Sequence, residues 1–95
     1  MASVVEGRLE ARQKDGVCTL VASGDWTLAT APALDVATRE AAPSQGSRVV
    51  IDLSGLELLD TAGAWLLFRL RKRLRAAGFT CDFTGVKDSH KGLFE

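Results

Sequence analysis

Val49-Val50-Ile51 is a run of β-branched residues with no polar residue inside it. Such side chains are stiff at χ1 and suit a pleated strand. A strand with no polar alternation belongs at the centre of a sheet. The segments on either side carry helical signals. Upstream, Thr30 is placed as an N-cap with Pro32 in the first turn, where a missing N–H does no harm. Leu34, Ala37 and Ala41 follow at helical spacing, and Pro43, Ser44 and Gly46 end that helix. Downstream, Ser54-Gly55 reads as a turn, and Asp60 caps a longer helix that runs to about Ala77 and stops at Gly78.

The ends of the chain add strands. Leu9 and Ala11 alternate with charged residues in a first strand spanning Val4 to Ala11. Lys14-Asp15-Gly16 is a hairpin signal, because glycine tolerates positive φ. The return strand is Val17 to Ser23, closed by Gly24, and Phe79 to Phe83 is a last short strand. The expected order is therefore β-β-α-β-α-β, an α/β fold with a mixed sheet of about four strands. Right-handed crossovers place the helices mainly on one face of that sheet. The tail beyond Gly85 is polar until Leu93-Phe94 and begins one more helix. Residues 1–95 are thus expected to be one domain, cut from something longer before or within its last helix.

Ninety-five residues make a single domain with a modest core, and leave little room for a deep substrate cavity. A formal net charge of zero gives no general attraction to nucleic acid or anionic membrane. Cys18 and Cys81 lie in separate strand-like runs without metal or disulfide spacing, so both are expected as buried free thiols. No secretory leader is visible at the N-terminus, and no run of about 18 apolar residues exists. The expected location is the cytoplasm.

No catalytic constellation is visible either. His90 stands in the polar tail and reads as a solvated residue, and no Gly-rich phosphate-binding motif occurs. Asp52 and Asp60 follow a central strand, where open α/β sheets gather their sites, but without a nucleophile–base pair they read as turn and capping residues. The domain is expected to be no enzyme, with no cofactor and no metal site.

Binding chemistry has more support. The helix start from Asp60 through Thr61 and Ala62 to Gly63 offers N–H groups and a positive dipole end to an anion or a partner's carboxylate. The competing reading is that Asp60 satisfies those groups itself. On a helical projection Gly63, Leu66, Leu67, Leu70, Leu74 and Ala77 form the core stripe. Trp65 and Phe68 fall almost opposite, beside Thr61, Arg69 and Lys72. Aromatic residues with arginine are what interface hot spots are made of, so these residues are the expected partner-binding surface. The alternative is a core role under cover from a C-terminal segment. Arg69, Arg71, Lys72, Arg73 and Arg75 make a basic face, either solvated or docked to an acidic surface or lipid headgroups.

The segment from Val49 through Asp52-Leu53-Ser54-Gly55-Leu56 to Asp60-Thr61-Ala62-Gly63 resembles the strand, loop and helix start of STAS domains, the family of anti-sigma-factor antagonists. The opening hairpin and Gly24-Asp25-Trp26-Thr27-Leu28 also fit that layout. Leu59-Asp60-Thr61-Ala62-Gly63-Ala64-Trp65-Leu66-Leu67 is most similar to STAS domains joined to the N-terminus of permeases of ABC lipid transporters of the maintenance-of-lipid-asymmetry type. The resemblance implies regulation by docking on the transporter ATPase subunit or on the permease. If fused to a permease, the domain is expected at the inner face of the bacterial inner membrane, with membrane contact only through the attached or partner permease. Anti-sigma-factor antagonists carry Asp-Ser-Ser-Gly at the helix start, and a kinase modifies the second serine. Ala62 holds that position here and has no hydroxyl, which leaves Thr61 as the nearby acceptor. A soluble partner-switching antagonist is the alternative function, and a sensor of a phosphate or nucleotide ligand is a third.

Overall fold

The computed structural model describes residues 5–94. Its elements are β1 (Arg8–Lys14), β2 (Val17–Trp26), α1 (Ala31–Glu40), β3 (Arg48–Leu59), α2 (Thr61–Ala76) and β4 (Thr80–Thr84), followed by a 3₁₀ helix at Asp88–Leu93. The strands form one sheet in the order β1-β2-β3-β4, antiparallel between β1 and β2 and parallel thereafter. The expected mixed four-stranded α/β sheet is present.

Asp15 (φ 52°) and Gly16 (φ 77°) make the turn between β1 and β2. Two left-handed residues in a two-residue loop match the twist of a hairpin. Register then sorts the faces. Cys18, Leu20 and Ala22 of β2, Val49, Ile51 and Leu53 of β3, and Cys81 of β4 point into the core. Leu66, Leu67, Leu70 and Leu74 of α2 close over them with Leu34 of α1. Both crossovers join neighbouring parallel strands, so a shared handedness sets both helices on that face. Cys18 and Cys81 are free and buried, and desolvation raises both thiol pKa values.

Several boundaries differ from the sequence reading. Val4 lies outside the described residues, and β1 begins at Arg8 and runs on past Ala11 because its ladder with β2 extends to Lys14↔Val17. β2 continues through Gly24 to Trp26. Ser54-Gly55 is no turn. β3 runs through it, and the register slips from Val21↔Asp52 to Ser23↔Gly55. The Asp52 carboxylate accepts the Ser54 N–H at 2.9 Å, so a local bend forms inside the strand instead of a reversal. The bulge puts Leu53 and Leu56, three residues apart, both into the core.

On α1 the buried positions are Leu34 and Thr38, whereas Ala37 and Ala41 are only partly covered. Thr30 stands at the N-cap position without capping. Its hydroxyl donates to the Asp25 carbonyl at 2.7 Å and accepts the Thr27 N–H at 3.1 Å. Ala77 caps α2 at its exposed C-terminal end and is not part of the core stripe.

The tail corrects another expectation. His90 is not solvated: it is 8% exposed, and its Nδ1 has no hydrogen-bond partner among the described residues. Lys87 donates to the Leu56 carbonyl, and Phe94 packs on Phe68 and Phe83, which folds the 3₁₀ helix onto the domain.

Candidate docking site

The site grows from the carboxylate of Asp60. This residue leaves β3 in an extended conformation (φ −121°, ψ −175°) and caps α2, its Oδ1 accepting the Gly63 N–H at 3.0 Å. Its Oδ2 accepts the Leu28 N–H at 3.0 Å, tying the loop after β2 to the start of α2. The N–H groups of Gly63, then Leu28, hold the Asp60 carboxyl below the usual carboxylate range. The reading in which Asp60 satisfies the helix start therefore accounts for the Gly63 donor. Gly63 is buried, and a Cβ there would run into the Trp26 carbonyl. Gly63 lets α2 approach the sheet and presents no side chain to a partner.

The hydroxyl of Thr30 pins the Thr27–Thr30 loop from the other side, and Leu28 is left 74% exposed. Between that loop and the two helix starts lies an open groove of about 630 Å³. Leu28, Ala31 and Pro32 line one side and Ala62, Trp65 and Leu66 the other, with Thr61 and Asp35 supplying the polar atoms. The α2 contributors recur at i, i+1, i+4 and i+5, which is one face of a helix. Trp65 is 59% exposed there.

Trp65 and Phe68 are not equally open, although the projection placed them together. Phe68 is half-buried, its ring centroid 5.6 Å from that of Phe83 and 5.3 Å from that of Phe94. β4 and the tail cover that side of α2, so the ring anchors the C-terminal segment. Its remaining exposure borders a shallow depression of about 240 Å³ shared with Trp65, Arg69 and Lys72.

The basic face is largely engaged within the domain. Arg69 pairs with Asp35 at 2.6 Å, and Arg73 donates to the carbonyls of Thr38 and Ala41, both at 2.7 Å. Arg75 reaches the Cys81 carbonyl and Asp82, and Arg71 lies over Phe68 and Phe83. Lys72 is exposed and makes no ion pair among the described residues. Leu28, Pro32 and Asp35 were not legible as site residues. An apolar residue in a loop has no periodicity to betray it, and Asp35 joins only through the pairing of α1 with α2.

The family model described as Mlab, STAS domain matches residues 9–95. The chain belongs to the STAS domain family. No curated protein matches it. Among solved structures, this STAS domain is similar to an antisigma-factor antagonist, STAS domain from Rhodobacter sphaeroides, with a TM-score of 0.63 and 21% identity over 87% of this chain and 88% of that one. A crystal structure described as Mglu gives a TM-score of 0.67 at 19% identity over 83% of this chain, which spans only 20% of that one. At these identities the likeness concerns the fold. STAS domains are in general regulatory and interaction modules. Among the described residues, no helix is long and apolar enough to cross a membrane, and no cluster of three or more His, Cys, Asp or Glu could hold a metal ion.

Proposed function

We propose that this STAS domain is a non-catalytic docking module of an ABC-type lipid transport system, and that its groove receives apolar side chains of the transporter ATPase subunit or of the permease. The observation that carries the reading is the exposure of Trp65 beside Leu28 on a groove walled almost wholly by carbon. Thr61 supplies the hydroxyl of that groove, and the nearby carboxylates are engaged elsewhere, Asp35 with Arg69 and Arg39 and Asp60 with the N–H groups of Gly63 and Leu28. The residues Leu59 to Leu67 support the transporter assignment through their resemblance, as does the description of the matching family model. Ala62, half-buried on the groove wall, offers a phosphorylating kinase nothing at the usual position.

Trp65→Ala tests the reading. Truncating a hot spot lowers affinity by about 30-fold, while thermal melting should stay close to that of the parent domain. Pull-down of the ATPase subunit and a melt on the same variant decide the matter: a collapsed melt, or undiminished association, would sink the proposal. Coding sequence beyond Glu95 that contains long apolar spans would support attachment to a permease at the inner membrane face.

The partner-switching alternative draws on one observation, the exposed Thr61 hydroxyl on the groove wall. Phosphate there would add about −1.5 to −2 charges to an apolar surface. Stoichiometric phosphate on Thr61 in cells, with altered partner affinity, would favour that reading.

A further inference from the structure

An indole as exposed as that of Trp65 has little packing to fix its rotamer. One of its faces is nevertheless covered by the guanidinium of Arg69, whose central carbon lies 5.0 Å from the ring centroid. That is within reach of a cation–π contact. The guanidinium is in turn held from α1. Asp35 Oδ1 pairs with it at 2.6 Å, and Thr38 Oγ1 accepts from it at 3.0 Å. Thr38 is itself fully buried, and its hydroxyl proton goes to the Leu34 carbonyl at 2.8 Å, which leaves the oxygen to accept from Arg69. Asp35 is steadied by a second arginine, Arg39, at 3.2 Å. A continuous set of contacts thus runs from the buried side of α1, across the helix pair, to the ring in the groove.

We propose that Arg69 is a positioning residue: clamped by Asp35 and Thr38, it holds the Trp65 indole in the rotamer that a partner meets. The role in binding rests on the docking reading of the groove, whereas the order of the ring is a property of the free domain. The planar guanidinium lies on the ring while its Nη2 alone reaches both Asp35 and Thr38; an ammonium keeps the charge but loses the stacked plane that spans ring and acceptors. A ring already ordered spares the partner the entropy of ordering it, so the loss of Arg69 weakens association by about 2- to 12-fold. That is distinct from the larger loss expected on removing the ring.

The chain contains two tryptophans, so a ¹⁵N-labelled sample gives two indole N–H signals, assigned with Trp65→Phe. The parent domain should show a Trp65 heteronuclear NOE close to that of the buried Trp26. Arg69→Lys and Asp35→Asn should each lower it, and Arg71→Lys, a matched change on the same helix, should not. A Trp65 signal as mobile in the parent as in Arg69→Lys overturns the proposal. Should Arg69→Lys fail to fold, Asp35→Asn decides by the same criterion. Affinity for the ATPase subunit separates the two claims. Association undiminished by Trp65→Ala overturns the docking reading. Association lost with Trp65→Ala but untouched by Arg69→Lys overturns the positioning role alone.

Discussion

Gly63 and Asp60 show how tightly single residues define the start of α2. At Gly63 an added Cβ meets the carbonyl of Trp26 and comes within 2.9 Å of its Cβ, and both belong to a strand that cannot retreat. Alanine is the better helix former by about 1 kcal/mol, yet Gly63→Ala should destabilise the domain by about 1–3 kcal/mol through overpacking, read as a lowered urea midpoint. A neutral or raised midpoint would mean that α2 can move off β2. Asp60 makes a prediction with a sign. Its folded pKa is depressed by the N–H groups of Gly63 and Leu28, so the unfolded chain, with a value of about 3.9, binds the proton more readily. The carboxylate's contribution is therefore complete above the unfolded value and vanishes as pH falls through the folded one. Asp60→Asn keeps an acceptor oxygen and removes the charge. Urea midpoints of parent and variant should differ at neutral pH and converge below about pH 4; a constant gap would assign the effect to something other than the charge.

At the level of elements, the 3₁₀ helix depends on a trio of rings. Phe94 meets Phe68 at 5.3 Å and Phe83 at 5.2 Å, and each such pair contributes about 0.5–1.5 kcal/mol beyond its buried area. Phe94→Ala should speed amide exchange across Asp88–Leu93 while leaving α2 and the sheet protected. Loss of protection throughout would make the tail part of the main core. These contacts explain what could be read from the sequence and what could not. The Asp15-Gly16 turn, the Asp60 cap and the stop at Gly78 depend on neighbouring residues, and local chemistry announces them. The bulge at Ser54-Gly55 depends on the partner strand, which alone makes it better for Leu56 to return to the core than for the chain to reverse. His90 escapes a local reading for the same reason, since the polar run around it gives no sign that the 3₁₀ helix lies against the domain. Trp65 and Phe68 lie roughly 60° apart around the helix. That small angle is enough for α1 to leave one ring open and for β4 to cover the other.

Across the whole molecule, the fold was legible because each strand pairs with its neighbour in sequence, so reading the elements in order nearly writes the sheet. The groove was half legible: α2 supplied Trp65 and Thr61 from periodicity and Ala62 from the helix start, but the wall from Leu28 to Asp35 needed two helix starts to be set side by side. The order β1-β2-β3-β4 also bears on how fast the chain finds this arrangement. Closing each crossover brings together segments separated only by one helix, and the hairpin is shorter still, so mixed α/β rates well above those of all-β sandwiches are expected. The two kinds of closure need not happen together. The β2–α1–β3 unit contains the buried centre of the sheet, whereas β1 is an edge strand with mostly exposed side chains. If β1 docks after the barrier is crossed, straining its turn with Gly16→Ala, at φ 77°, should steepen escape from the native state without slowing arrival. In stopped-flow mixing the unfolding limb should rise and the refolding limb stay in place. A slowed refolding limb would instead put the hairpin inside the nucleus.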